Sequence, residues 1–171
     1  SWPVRDSCQL VIETARDIRS QVDVSCIQSI RVITYKSNYR WAVADPELWC
    51  PQTRETADHS APFCCAVSLL DGGVSAETFT QMRFLDADVL GLVDRMTVEV
   101  SDEFTARTPD VKTCRVEVTQ VDAEVIASER KLSQHDIEAG LSRGTVVEKF
   151  LSLVEPMLGG DNAQLVALMR R

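Results

Sequence analysis

Residues 60–70, SAPFCCAVSLL, are almost wholly apolar or small, and no other stretch limits the fold of this chain so strongly. A helix that is apolar all round must be buried, so the remaining elements have to wrap around it. Pro62 is tolerated only in a first helical turn, which sets the start near Ser60, and Asp71-Gly72-Gly73 ends the helix. The small residues Ala57, Ala61, Cys64, Cys65 and Ser68 would let another helix pack closely.

Around this segment the pattern changes several times. Leu10, Val11, Ala15 and Ile18 recur at helical spacing, which predicts a helix over 6–21 capped by Asp6 or Ser7. Residues 26–35 are rich in β-branched side chains and predict a strand. Residues 36–53 read as a loop, broken by Asn38, Pro46 and Pro51 and anchored by Tyr39, Trp41 and Trp49. Short helices are expected from Ser75 and over 86–94, and a short strand over 96–100. Residues 114–118 and 123–127 read as two strands joined by a tight turn at 120–122. A short helix opening at 133–136, an amphipathic helix over 145–158 and a last helix over 162–171 complete the order. Helix, strand, helices, strands, helices is an α+β order, with a small sheet of short strands packed on helices and with C-terminal helices.

Charge and cysteine content exclude several roles. The net charge of -8 repels phosphate backbones, so no nucleic-acid partner is expected. No apolar run reaches bilayer length, so no membrane role is expected. The start lacks a signal-peptide layout and an initiator Met, and is read as processed or cut. The six cysteines form no CxxC pair, and only two histidines are present, so no metal site is expected. They are read as reduced, mostly buried thiols of a cytoplasmic protein.

Residues 49–63 read WCPQTRETADHSAPF and residues 66–72 read AVSLLDG. This strip resembles the MmgE/PrpD family, whose members carry a similar P-x-T-R-E-T-A-D-H-S-x-P-Y segment followed by A-x-A-L-L-D-G. Trp2-Pro3 with Ile12-Glu13-Thr14-Ala15 is similar to the family's W-P-x-C-x-x-x-H-x-x-I-D-A-A stretch, and residues 147–156 are similar to its closing helices. Members resemble two-domain proteins with a large all-helical domain and a smaller α+β lid. The resemblance therefore implies the lid and its flanking helices: a boundary helix over 1–20, a lid over 21–140, and C-terminal helices over 141–171. It implies proton removal next to a carboxylate on a small polycarboxylate, as in 2-methylcitrate dehydration, cis-aconitate decarboxylation or iminodisuccinate epimerisation. It implies no metal and no cofactor.

The resemblance also points to site residues. His59 matches the family's A-D-H-S histidine and is the catalytic candidate, just ahead of a helix N-terminus that would favour a carboxylate. The plainer alternative is a histidine that only fixes the loop. Arg54 either clamps a carboxylate in bidentate fashion or pairs with Glu55 or Asp58. Arg40, after Tyr39, is a weaker form of the same idea. Phe63 stands where the family carries a tyrosine facing the active site, and lacks its hydroxyl. Gln9 stands where the family's early histidine lies; it can orient a carboxylate but cannot take a proton near neutral pH. Arg5 falls where a cysteine is usual. Cys64 and Cys65 read as buried small hydrophobes rather than nucleophiles.

The expectation that follows is a lid subunit, inactive alone, that needs a large all-helical MmgE/PrpD-type subunit in a hetero-oligomer. The alternatives are a diverged, non-catalytic binding or assembly module, and a repurposed enzyme acting on a larger natural product.

Overall fold

The structure is a computed structural model that describes residues 2–121, 124–140 and 142–158. The chain divides into two compact units, residues 1–134 and 135–171.

The first unit opens with α1 (Asp6–Arg19), whose Cys8, Val11, Ile12, Ala15 and Ile18 fall on one buried stripe at helical spacing. A one-turn 3₁₀ segment capped by Asp23 leads into β1 (Ile27–Thr34). The 36–53 stretch is not a continuous loop, as the sequence predicts, but contains α2 (Lys36–Ala42) and a 3₁₀ turn at Pro46–Trp49. Alpha-helical period is hard to read over so short a piece. Half-buried Tyr39 and buried Ala42 and Val43 hold it to the core.

Then come α3 (Arg54–Ala57), α4 (Ala61–Asp71), α5 (Ala76–Thr80) and α6 (Ala87–Val93). Strand β2 (Met96–Val100), helix α7 (Asp102–Ala106), and strands β3 (Val111–Gln120) and β4 (Val125–Ser133) complete the unit. The last two strands run well beyond the expected five-residue segments, because Lys112, Glu129, Arg130 and Lys131 belong to the ladder despite their charge. Gln120 and Val121 lead out of β3, and the rest of the expected turn lies outside the described residues.

The sheet order is β2-β1-β3-β4, with β1 parallel to β2 and antiparallel to β3, and β3 antiparallel to β4. Side chains alternate across it. Ile30, Val32, Cys114, Val116, Val118 and Ile126 join the core with α1 and α4. On the opposite face Arg31 makes two bonds to Glu99, at 2.9 and 2.7 Å, and one to Glu117 at 3.0 Å, tying three neighbouring strands. Helix α1 packs on β3, β4 and α4. Helix α4 is buried along Ala61–Leu69, as its composition requires, with α1 and α6 against it.

The second unit holds most of α8 (Gln134–Ala139) and all of α9 (Arg143–Leu158). His135 is exposed. The expected helix over 162–171 lies outside the described residues. Among the described residues no helix is long and apolar enough to cross a membrane.

Candidate functional site

The strip before α4 is held by two consecutive caps. Thr53 Oγ1 accepts the Thr56 N–H at 3.2 Å and starts α3. Ser60 Oγ accepts the Phe63 N–H at 3.0 Å and donates to the Leu48 carbonyl at 2.5 Å. Ser60 is fully buried, so both bonds are made away from water. Between the caps sit Asp58 and His59, and the Asp58 carbonyl also accepts the Arg5 N–H at 3.1 Å.

His59 Nδ1 meets the Asp58 carboxylate and the Glu55 carbonyl, the latter at 2.8 Å. Both neighbours are acceptors, so Nδ1 carries a proton, and in the neutral ring Nε2 holds the lone pair. Among the described residues Nε2 has no hydrogen-bond partner. A carboxylate that fixes one ring nitrogen and leaves the other as a proton acceptor is the arrangement a general base requires.

His59 lines an open cleft of about 420 Å³ together with Arg40, Trp41, Leu48, Glu55 and Thr56. Asp45 and Glu47 stand on the same wall. One guanidinium therefore faces three carboxylates, from Asp45, Glu47 and Glu55. A polycarboxylate entering here meets net repulsion unless further cations are brought to it.

The helix N-terminus behind His59 is less open than the sequence suggests. Ser60 already occupies the Phe63 N–H, Pro62 has none, and Cys64 N–H returns to the Ser60 carbonyl.

The other predicted residues are dispersed. Arg40 shares the His59 cleft and lies 5.1 Å from the centroid of the Trp41 ring. Arg54 is exposed and lies 5.5 Å from the Phe79 ring centroid; it pairs with neither Glu55 nor Asp58. Phe63 is 1% exposed and packs against Phe79 and Phe84, with centroids 6.2 and 6.3 Å away. Gln9 spends its amide on the backbone of Trp2 and Val4.

Two participants escape the sequence reading. Asp58 enters it only as a partner for Arg54, although its adjacency to His59 was the available signal. Trp41 enters only as a loop anchor, yet it is 53% exposed and carries Arg5 at 5.4 Å on its ring as well as Arg40.

The cysteines are free. Cys8, Cys64, Cys65 and Cys114 are buried, Cys26 is half-buried, and Cys50 is exposed. Burial pushes the Cys64 and Cys65 thiols well up and the Cys114 thiol up to about 12, which suppresses thiolate chemistry in the core. Among the described residues no group of three or more His, Cys, Asp or Glu is placed to hold a metal ion.

Fold and cleft together define an α+β domain whose helix-entry loop presents an oriented Asp–His pair at an open surface. Residues 2–171 match the family model for the MmgE/PrpD C-terminal domain, and the chain belongs to the MmgE/PrpD family. No curated protein matches it.

Proposed function

We propose that this chain is the lid component of an MmgE/PrpD-like lyase or isomerase that removes a proton next to a carboxylate of a small polycarboxylate. The observation that carries this reading is the His59 ring, pinned through Nδ1 by Asp58 and Glu55 and lining the cleft. His59 acts as the base: the substrate C–H bond breaks, the proton passes to Nε2, and the electron pair spreads into the adjacent carboxylate as an enolate. Asp58 is a positioning residue that fixes the tautomer and steadies the imidazolium. Arg40, in the cleft, holds a substrate carboxylate, while Arg54, over the Phe79 ring and outside the cleft, is left to meet the partner subunit or a part of the substrate that reaches beyond it. The excess of carboxylates around His59 supports the need for a large all-helical subunit, which brings the remaining cations and N–H donors to the enolate. Gln9 and Phe63 contribute shape rather than contact, since one is spent on backbone and the other is in the core.

The test is reconstitution with the large helical subunit, followed by turnover and solvent-deuterium exchange at the acidic carbon. His59→Gln should lower kcat by about 10²-fold or more, and Asp58→Asn should lower it with little change in KM. Full activity of His59→Gln in the complex would refute the assignment.

A second reading, a non-catalytic binding or assembly module, is favoured by the buried Phe63 ring and by the engaged Gln9 amide. It expects the complex to be indifferent to both substitutions.

A further inference from the structure

Arg40 stands in the His59 cleft with Asp45, Glu47 and Glu55, yet among the described residues it makes neither an ion pair nor a side-chain hydrogen bond. Its guanidinium lies instead over the Trp41 ring, 5.1 Å from the centroid. The two residues are consecutive on α2. Neighbours in a helix project about 100° apart and do not face each other, so Arg40 has to fold back to reach the ring. An aromatic face attracts a cation without consuming its N–H donors. A carboxylate would take them.

The surroundings fix which side of the ring Arg40 uses. Trp41 also borders a second cleft, of about 250 Å³, in which Arg5 and Lys112 outnumber Asp6. Arg5 lies 5.4 Å from the ring centroid and lines that cleft, while Arg40 lines the first. Two like charges on one ring repel each other, and Arg5 is anchored, since its main-chain N–H bonds to the Asp58 carbonyl at 3.1 Å. Arg40 is therefore kept on the His59 side. The carboxylates that compete for it there are not equal. Asp45 Oδ1 accepts the Glu47 N–H at 3.0 Å, whereas Glu47 and Glu55 are exposed and pair with no cation among the described residues.

We infer that Trp41 is a positioning residue for Arg40: its ring holds the guanidinium in the His59 cleft and away from Glu47 and Glu55, leaving the donors open to a substrate carboxylate. This role presupposes the carboxylate-binding cleft proposed above. Without the ring, Arg40 swings onto one of the two glutamates, and the substrate has to displace it.

Kinetics of the reconstituted complex test the role. Trp41→Leu should raise KM about tenfold and leave kcat within about twofold, whereas Trp41→Phe, which keeps a ring, should stay near the wild type. In an Arg40→Gln background Trp41→Leu should have no further effect. Adding Glu47→Gln and Glu55→Gln to Trp41→Leu should restore KM, a rescue that a purely structural tryptophan would not allow. Additive KM effects of Trp41→Leu and Arg40→Gln, or no rescue, overturn the role.

NMR of the full chain gives a readout that needs no turnover. The Arg40 Nε–H signal, assigned by its loss in Arg40→Gln, should sit upfield in the wild type, shielded by the indole. It should move downfield in Trp41→Leu as a glutamate takes the donor. Glu47→Gln with Glu55→Gln should shift it in Trp41→Leu and not in the wild type. A signal indifferent to Trp41→Leu overturns the role as well. Full activity of His59→Gln would remove the base and leave the contact between Trp41 and Arg40 untouched, so the two failures are told apart.

Discussion

Gln9 closes a ring of hydrogen bonds on the backbone of Trp2: its Oε1 accepts the Trp2 N–H at 2.8 Å and its Nε2 donates to the Trp2 carbonyl at 2.9 Å. The second amide hydrogen goes to the Val4 carbonyl at 3.0 Å. The indole is fixed as well, by Glu13 at 2.8 Å and by Arg16 over its ring at 4.8 Å. It also presses so closely on Gly73 that a Cβ there would fall 2.5 Å from the ring. Gln9 thus holds the start of the chain on α1.

Gln9→Ala should therefore cost about 1–3 kcal/mol by urea denaturation and change the Trp2 fluorescence environment. Gln9→His should not rescue the loss, because a neutral imidazole has one N–H and cannot replace both donated bonds. Wild-type stability in either variant would show the ring of bonds to be incidental.

Phe63→Tyr is the informative change in the core. The ring sits against Phe79 and Phe84 with 1% exposure, so an added hydroxyl has no water and must find a partner or go without. A destabilisation of about 1–3 kcal/mol is expected, with no gain in turnover of the reconstituted complex. A stable and more active Tyr variant would mean that this position reaches substrate.

Ser60 both caps α4 and binds the Leu48 carbonyl. Ser60→Ala should cost about 2 kcal/mol, since it removes a cap and orphans a buried carbonyl. Ser60→Asp retains an acceptor for the Phe63 N–H but cannot donate when ionised, so it should recover only part of the loss. Equal stability of all three proteins in denaturant melts would contradict this.

Acid should loosen the surface ion pairs. Hydrogen bonding to Arg130 lowers Asp17, and Arg83 lowers Asp88. Arg31 lowers Glu99, and Arg115 with Arg31 lowers Glu117. Each folded value lies below the ordinary 3.8 or 4.5, so the stabilisation is complete above those values and is lost as pH falls through the folded ones. The urea midpoint should be level near neutral pH and fall below about pH 4, with a shallower fall in Arg31→Gln. A midpoint that holds or rises in acid would go against these pairs.

Much of the scaffold is written locally. The apolar run of α4 with Pro62 at its head and Gly72 at its end, the buried stripe of α1, and the β-branched run of β1 each carry their own signal. Gly72 takes a φ of +86°, a left-handed conformation that explains why glycine closes this helix. Helix α2 carries no such signal, because seven residues span about two turns and its hold comes from contacts with the core. The charged ends of β3 and β4 hide their length for a related reason: one face of the sheet is covered and the other carries ion pairs.

At the site, the chain order alone made Asp58 and His59 neighbours and put them ahead of α4. It had no means of choosing which side of α4 meets a cleft, since that helix is apolar on every side and its pattern has no preferred direction. Packing against α1 and α6 set that rotation, and with it Phe63 turned inward. The folding of α2 brought Arg40 and Trp41 beside His59 from nearly twenty residues away. Hydrogen-bond partners and through-space charge balance depend on such distances, which is why the acid-rich cleft and the cation-rich one beside it emerged only once the elements were packed.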